Sequence, residues 1–392
     1  MFWPRLASAA LLLASLVSGS SPKCSTDDDC NLNGICSHGK CKCDVGWTSS
    51  DCGALDLYPA SRQAGYNHTA EGESTWGSHI VQDPHDKKLY HLFYTSMEHH
   101  CGLLKWIPYS RIMRAESRTG PEGPYTNPVE VVSTFSHNPT VVWSPFDKKY
   151  LLYHIGCPQA ILPGCDSVGG LQCPDNPGGL GISVMSSRDL RSWDFKGYVL
   201  KKSNDSTAWD WVVTNPSAWP LHSSSRDPTM ILAYRGKAAD KTEMIGISVS
   251  KAGYEGPYKK IGTKPIFNAF CEDPFLWQDR RGNYHMLVHS MRDGNGGTPG
   301  VRQVGRHAFA RMYEGPWTFN NDTLAYSAWA NFTDGTSINF SRRERPQLFF
   351  SDDGRMTPLL LSNGVQEMGS TQSYSIITPI GRKSRLGQGG CK

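Results

Sequence analysis

The side chains best suited to chemistry are acidic and polar residues at the starts of short apolar segments. The pair Glu272-Asp273 directly precedes a proline, and Glu344 stands two residues before another. Two carboxyl groups perform general acid–base chemistry when one holds a proton and the other is ionised. We therefore expect Glu272, Glu344 and Asp273 to be catalytic. Because histidine titrates near neutral pH, His79 or His137 is an alternative group for activating water. The other interpretation of each histidine is a packed or channel-lining residue without a catalytic role.

Other polar and aromatic residues near such segment starts suit binding. Asparagine and arginine donate hydrogen bonds to hydroxyl and carboxylate oxygens. An aromatic face can stack on a ligand ring, although core packing explains most tryptophans equally well. We expect substrate contacts from Trp76, His79, His137, Asn138, Asn215, Arg292 and Arg345.

The elements that position these residues form a repeat. Each unit has a short apolar strand, a polar turn, and a second strand rich in β-branched and aromatic residues. A further hairpin follows in most units, and the markers Pro139, Pro216, Pro274 and Pro346 are spaced by 77, 58 and 72 residues. Four strands per unit at a period above fifty predict an all-β fold, a five-bladed β-propeller. The alternative is a β-sandwich with accidental similarity. The five units begin at Trp76, His137, Thr214, Glu272 and Glu344.

In a propeller the first strand of each blade lines the central channel, so the five segment starts should surround one funnel. These positions are polar and differ from blade to blade, which favours a site built on a symmetric scaffold. The alternative is that they only satisfy backbone groups at the channel mouth. The positions are Gly77-Ser78, His137-Asn138, Asn215, Glu272-Asp273 and Glu344-Arg345.

Residues 55 to 380 resemble the five-bladed propeller clan of glycoside hydrolases, most nearly family 43. The resemblance rests on the segment Cys271–Trp277, the Asn-Pro-Ser start of the third unit, and repeated Gly-Pro-Tyr/Trp turns. It implies that Glu272 is the general acid and that carbohydrate is the partner. In that family an Asp on the first blade is the base and an Asp on the third blade tunes the acid. Here the matching positions hold Gly77 or Ser78, and Asn215.

The second carboxylate is therefore the open question. We expect it to be Glu344, with Glu73 in reserve, and Asp273 or Glu344 to raise the pKa of Glu272 as a like charge. The expected function is a glycoside hydrolase that acts on a pentose- or galactose-containing polysaccharide with Glu272 as the acid. The alternatives are a non-catalytic glycan-binding or adhesion protein on a degenerate propeller, and an extracellular signalling ligand.

The N-terminus predicts secretion. Residues 1–20 have one charge, a short apolar run and small residues after it, which is typical of a signal peptide. The apolar run is shorter than the roughly 20 residues that span a bilayer, so no membrane span is expected. Five Asn-X-Ser/Thr sequons favour a glycosylated extracellular protein, and they begin at Asn67, Asn204, Asn321, Asn331 and Asn339.

Residues 21–53 predict a small disulfide-rich module, because so short a segment cannot bury enough apolar surface to fold unaided. Its spacing is Cys24-x5-Cys30-x5-Cys36-x4-Cys41-x-Cys43-x8-Cys52, which does not by itself choose the pairing. The ending around Gly46-Trp47 resembles an epidermal-growth-factor-like domain. That resemblance implies the pairs Cys24–Cys36, Cys30–Cys41 and Cys43–Cys52. The propeller should follow over residues 54–381, with a basic tail over residues 382–392.

The six remaining cysteines predict three more bridges of unassigned pairing, one of them fixing the strand of Glu272 through Cys271. Their spacing is not that of a zinc site, and no calcium loop is evident. We expect no metal site and no cofactor, although the resemblance allows a structural cation in the channel. The net charge of +4 excludes nucleic acid as an expected partner, and the oligomeric state stays open. These cysteines are Cys101, Cys157, Cys165, Cys173, Cys271 and Cys391.

Overall fold

The computed structural model describes residues 24–167, 173, 176, 180–221, 226–291 and 304–381. Within these residues the protein is nearly all β-structure, as predicted, and its helices are single turns. The turns lie at Asp27–Cys30, Thr69–Glu71, Glu98–His100, Leu103–Lys105 and Trp106–Tyr109. The predicted signal peptide, the tail, Arg292 and Cys391 lie outside the described residues.

The N-terminal module contains two short hairpins and three disulfides. Its strands are β1 (Gly34–Ser37), β2 (Lys40–Cys43), β3 (Trp47–Thr48) and β4 (Ala54–Leu55). The bridges join Cys24 to Cys36, Cys30 to Cys41, and Cys43 to Cys52. These are the pairs that the epidermal-growth-factor-like resemblance implies.

Four antiparallel sheets of four strands follow, and each is one blade. Blade 1 holds β5 (Thr75–Gln82), β6 (Tyr90–Met97), β7 (Ser110–Ser117) and β8 (Thr126–Val132). Blade 2 holds β9 (Ser136–Ser144), β10 (Lys149–Gly156), β11 (Gly181–Ser187) and β12 (Asp194–Lys201). Blade 3 holds β13 (Val212–Pro220), β14 (Met230–Lys237), β15 (Glu243–Ser250) and β16 (Lys259–Lys260). Blade 4 holds β17 (Cys271–Gln278), β18 (Tyr284–Ser290), β19 (Val304–Ala310) and β20 (Thr318–Phe319).

Blade 5 departs from the predicted four strands. A separate hairpin, β21 (Trp329–Asn331) with β22 (Ser337–Asn339), precedes the sheet of β23 (Arg342–Phe350), β24 (Pro358–Gln366) and β25 (Tyr374–Pro379). The chain after the module runs along the outer edge of β25, where Leu57 pairs with Ile380 and Tyr66 with Ser375. This N-terminal segment covers backbone groups that an open edge would expose. The inner strands β5, β9, β13, β17 and β23 are neighbours in a closed ring.

All five inner strands share one backbone irregularity near the start. Gly77, Asn138, Asn215, Asp273 and Arg345 have positive φ angles of 51°, 56°, 51°, 57° and 53°. The pairing register shifts beside each of them, as in a β-bulge. A bulge re-aims side chains, and left-handed backbone costs a residue other than glycine roughly 1–2 kcal/mol. The repeated conformation confirms that the five sequence positions are equivalent.

The module lies against blade 4. Trp47 stacks on Trp277 with ring centroids 6.4 Å apart. Asp44 in the module forms an ion pair of 2.5 Å with Arg281, which follows β17. The apolar cluster around Trp47 is continuous with that of blades 4 and 5, so module and propeller share part of their core.

Two further disulfides join Cys101 to Cys165 and Cys157 to Cys173. The expected bridge at Cys271 is wrong, because Cys271 is a free thiol among the described residues. Its side chain is buried in the apolar cluster between blades 3 and 4, where it packs as a small hydrophobic residue. The strand of Glu272 is therefore held by packing and pairing rather than by a disulfide.

Of the five sequons, Asn67, Asn204, Asn321 and Asn331 are exposed and Asn339 is half-buried. Four side chains are therefore accessible to a sugar. In the part of the chain that the structure describes, no helix has the length and apolar character needed to cross a membrane.

Candidate functional site

A cavity of about 430 Å³ opens at the leading ends of the inner strands. It has two unlike sides. The apolar wall comes from blades 1 and 2 and consists of Trp76, Leu103, Leu104, Trp106 and His137. The charged wall comes from blades 3, 4 and 5; its charged residues are Arg235, Lys237, Lys241, Glu243, Glu272, Arg342 and Glu344, and the apolar Phe270 and Met291 line it at the ends of β17 and β18. We call this cavity the funnel.

Charges alternate along the charged wall. Arg235 Nη1 lies 2.5 Å from Glu272 Oε2 and 3.2 Å from Glu243 Oε1. Lys237 Nζ lies 2.9 Å from the same Glu243 oxygen. On its other side Glu272 Oε1 lies 3.3 Å from His289 Nδ1. Glu272 is thus held between two cationic or protonatable groups.

These contacts move the pKa values of Glu272 and Glu344 in opposite directions. Burial favours the neutral form of Glu272, but Arg235 and then His289 outweigh burial and hold its pKa below the ordinary value. Burial raises the pKa of Glu344 to about 7, helped by the nearby Glu272 and opposed by His289 and Arg342. We expected neighbours to raise the pKa of Glu272; instead its partners lower that pKa, and Glu344 is the carboxyl group that keeps its proton up to about pH 7.

Four of the five left-handed residues, all but Gly77, form a hydrogen-bonded ring at the funnel floor, which Arg345 Nη2 closes by donating to the Asn138 carbonyl at 3.4 Å. Asn138 Nδ2 donates to Asn215 Oδ1 at 3.4 Å, and Asn215 Nδ2 donates to Asp273 Oδ1 at 2.6 Å. Asp273 also accepts from the Arg345 backbone N–H at 3.0 Å and from its Nη1 at 3.3 Å. A Cβ at Gly77 would lie 3.3 Å from the Cβ and Cγ atoms of Arg345. Arg345 therefore fills the space beside the blade 1 position where the family resemblance implies the base.

The structure brings most of the predicted site residues to the funnel, but not all. His79 lies deeper in the channel, where it bonds Gln347 and burial lowers its pKa to about 4. Ser78 bonds Ser362 of blade 5, and Glu73 accepts a hydrogen bond from Ser96 Oγ at 3.0 Å. Among the described residues, none of these three lines the funnel.

His137 does line the funnel, but in a fixed and neutral form. Its Nδ1 lies 2.8 Å from Ser110 Oγ, and its ring centroid lies 4.6 Å from that of Trp106. Burial, with Arg345 and Arg235 nearby, holds its pKa well below the ordinary value. His137 therefore acts as a wall of the funnel and as a hydrogen-bonding group at neutral pH.

Sequence reasoning missed several residues that the fold brings to the site. Arg235 is paired with Thr214 across β13 and β14, and His289 with Glu272 across β17 and β18. The hairpin register was the signal that could have found them, because it places one second-strand residue beside each segment start. Trp106 comes from the helical turns between β6 and β7, which the Cys101–Cys165 bridge ties to blade 2.

The structure also tests whether a channel cation fits. Glu272, Asp273, His289 and Glu344 each offer one ligand atom, and these atoms lie within 4.8 Å of one another. Three carboxylates and an imidazole suit a divalent cation. However, Arg235 already pairs with Glu272, and Arg345 with Asp273. The group as arranged does not fit a metal ion, since guanidinium groups supply the positive charge.

No protein-family model matches the sequence, and no curated protein matches it. Solved structures do. An α-L-arabinofuranosidase from Podospora anserina, solved in complex with cellotriose, is 8% identical with a TM-score of 0.53, over 83% of this chain and 97% of that one. Zg3597, a family 117 glycoside hydrolase from the marine bacterium Zobellia galactanivorans, is 12% identical with a TM-score of 0.55, over 86% and 90%. A family 62 arabinofuranosidase from Coprinopsis cinerea is 10% identical with a TM-score of 0.52, over 83% and 96%. The chain has the five-bladed propeller fold of these glycoside hydrolases.

Proposed function

We propose that the protein is a secreted glycoside hydrolase that cleaves a pentose- or galactose-containing polysaccharide in the funnel. Glu344 is the proton donor and Glu272 is the ionised carboxylate. One observation carries the proposal: two carboxyl groups share the funnel, and their contacts push their pKa values apart. Such a pair is the usual basis for assigning an acid and its partner.

The spacing of the two carboxyl groups supports a retaining reaction. One oxygen of Glu272 lies within 4.8 Å of one oxygen of Glu344. Retaining glycosidases hold their carboxyl groups about 5–5.5 Å apart, whereas inverting enzymes leave roughly 6.5–9.5 Å for a water molecule. At their nearest oxygen atoms the two groups leave less room than a water molecule held between them needs, so direct attack by a carboxylate is the reaction that we propose.

The reaction then has two steps. Glu344 gives its proton to the glycosidic oxygen as the bond from that oxygen to the anomeric carbon breaks. Glu272 forms a bond from its carboxylate oxygen to the same carbon. In the second step Glu344 takes a proton from water, and the water oxygen displaces Glu272 from the sugar. Arg235 lies 2.5 Å from Glu272 and stabilises the carboxylate that leaves in this step.

Trp76 and Trp106 on the apolar wall are placed to pack against a sugar ring across from the carboxyl groups. The five disulfides support an extracellular location, because such bridges persist in oxidising compartments. Four exposed sequons add support for a glycosylated protein.

The experiment is hydrolysis of an oligosaccharide array by the wild type, Glu344→Gln and Glu272→Gln. Removing the proton donor should lower kcat/KM about 10² to 10⁴-fold on natural glycosides. With an aryl glycoside whose leaving group needs no proton, Glu344→Gln should keep most of its activity, whereas Glu272→Gln should not. In the wild type, activity should fall as the pH rises above about 7, because Glu344 then loses its proton.

The original assignment, Glu272 as the acid, stays the competing prediction. It requires the reverse result, in which Glu272→Gln and not Glu344→Gln keeps its activity on the aryl glycoside. That result would contradict the roles proposed here for Glu344 and Glu272, but the protein would still be a hydrolase.

A non-catalytic glycan-binding protein is the second candidate function. The observation that favours it is the funnel floor, where Gly77 and Asn215 stand in place of two carboxylates and Arg345 fills the space by blade 1. If the wild type binds oligosaccharides but cleaves none, and both glutamine variants bind as it does, this second candidate is correct.

A further inference from the structure

The charged wall carries more positive charge than its own residues neutralise. Arg235 and Lys237 share Glu243, and Arg235 also pairs with Glu272. By contrast, Lys241 is exposed and forms no ion pair with any residue that the structure describes. Arg345, a further cation at the funnel floor, forms an ion pair with Asp273.

Arg342 is the second cation without a full counter-charge. Its Nη1 lies 3.0 Å from Glu344 Oε1, its side chain is 13% exposed, and Glu344 is its one acidic partner among the described residues. Its Nε is buried and has no hydrogen-bond partner there. Glu344 is neutral when it acts as the proton donor, so Arg342 then faces the funnel with no carboxylate beside it. A largely buried cation without a counter-charge is unfavourable unless a ligand supplies one.

The count of charges on the funnel lining gives the same result. Among the described residues four cations line it: Arg235, Lys237, Lys241 and Arg342. The acidic residues of the lining are Glu243, Glu272, Asp273 and Glu344, and Asp273 is already paired with Arg345. With that pair set aside and Glu344 protonated, only Glu243 and Glu272 oppose the four cations, so the described part of the reactive funnel has two positive charges in excess, although the whole chain has only +4.

We infer that the substrate is an acidic polysaccharide, in which a sugar carboxylate or sulfate lies against Lys241 and Arg342. This inference rests on the proposed function and narrows its substrate class. A guanidinium group binds either anion through two parallel hydrogen bonds, and a lysine adds a point charge at the rim. The uncharged faces of the sugar rings then lie toward the apolar wall.

The test is binding and hydrolysis of oligosaccharides that share one backbone and differ only in charge: neutral, uronate-containing and sulfated. The wild type should bind one of the acidic forms at least about tenfold more tightly than the neutral form, as expected for a hydrogen bond to a charged group. This preference should shrink as salt is raised, because the rim is exposed to solvent. Comparison of the uronate-containing and the sulfated oligosaccharide shows whether a carboxylate or a sulfate is recognised.

Lys241→Gln should lose about tenfold in affinity for the acidic form. Lys241→Glu should lose more, because it reverses the charge. Lys241 is exposed, so both variants should fold. The matched control is Lys196→Gln, which removes an exposed lysine from β12 on the outer edge of blade 2 and should change nothing.

Two results would overturn the inference. Either the wild type binds and cleaves the neutral form as well as the acidic forms, or the acidic preference survives in Lys241→Glu. Both leave the proposed hydrolase intact, because in each case an oligosaccharide is still bound and cleaved. If no oligosaccharide of any charge is bound or cleaved, the proposed function itself fails and this inference fails with it.

Discussion

Blades 1 and 4 have the same backbone conformation at the funnel but differ in the side chains they carry there. Gly77 and Asp273 have φ angles of 51° and 57°, and the register shifts beside both. Blade 4 carries two acidic residues at this point, Glu272 and Asp273. Blade 1 offers no side chain at Gly77, and Arg345 of blade 5 packs against it.

The comparison shows that the scaffold repeats while the charge does not. The missing carboxylate on blade 1 leaves room for the guanidinium group of Arg345, which in turn pairs with Asp273 of blade 4. The departure from the family pattern at blade 1 is therefore coupled to the charge on blade 4 through Arg345. Substitutions of the residues that contact Glu272, Asp273 and Arg345 test whether the charges of the blades are coupled in this way.

The largest expected effect is at the arginine partner of Glu272, the ionised carboxylate of blade 4. Arg235→Gln leaves the largely buried Glu272 with His289 as its remaining partner, and breaking a buried pair in this way costs about 3–5 kcal/mol. Urea unfolding at pH 7 measures the change. The control is Arg355→Gln, at an exposed ion pair with Asp353, which should leave the unfolding midpoint unchanged. A loss below about 1 kcal/mol at Arg235 would contradict an ionised Glu272, because a surface pair costs no more.

A smaller effect is expected where blade 3 departs from the family pattern. Asn215→Asp restores the family carboxylate but places it where the amide now donates to Asp273 Oδ1 at 2.6 Å. Losing that hydrogen bond to a charged group should cost about 1.5 to 3 kcal/mol of folding free energy. Asn127→Asp, at an exposed position of β8 that is not part of a sequon, is the control and should have no effect on unfolding. An Asn215→Asp protein as stable as the wild type would mean that the ring tolerates the family pattern.

The sequence predicted the five blades and the equivalent segment starts because each strand pair is local and its pattern repeats. It did not predict Arg235 as a partner of Glu272, because Arg235 lies 37 residues away and comes from a different blade. The pKa values of Glu272 and Glu344 depend on such non-local contacts and on burial. The sequence also assigned His79 to the funnel, but His79 lies three residues beyond Trp76 along β5 and therefore deeper in the channel.

The smallest effect tests blade 1 directly. Gly77→Ala adds a methyl group at positive φ, which costs roughly 1–2 kcal/mol for the backbone alone. Gly354→Ala is the matched control, because Gly354 has a φ of 73° and open space where its Cβ would be. The new methyl at Gly77 would lie 3.3 Å from two carbon atoms of Arg345, so its loss of stability should exceed that of the control. Equal losses in urea unfolding would show that Arg345 can move aside, and that blade 1 has room for a side chain beside it.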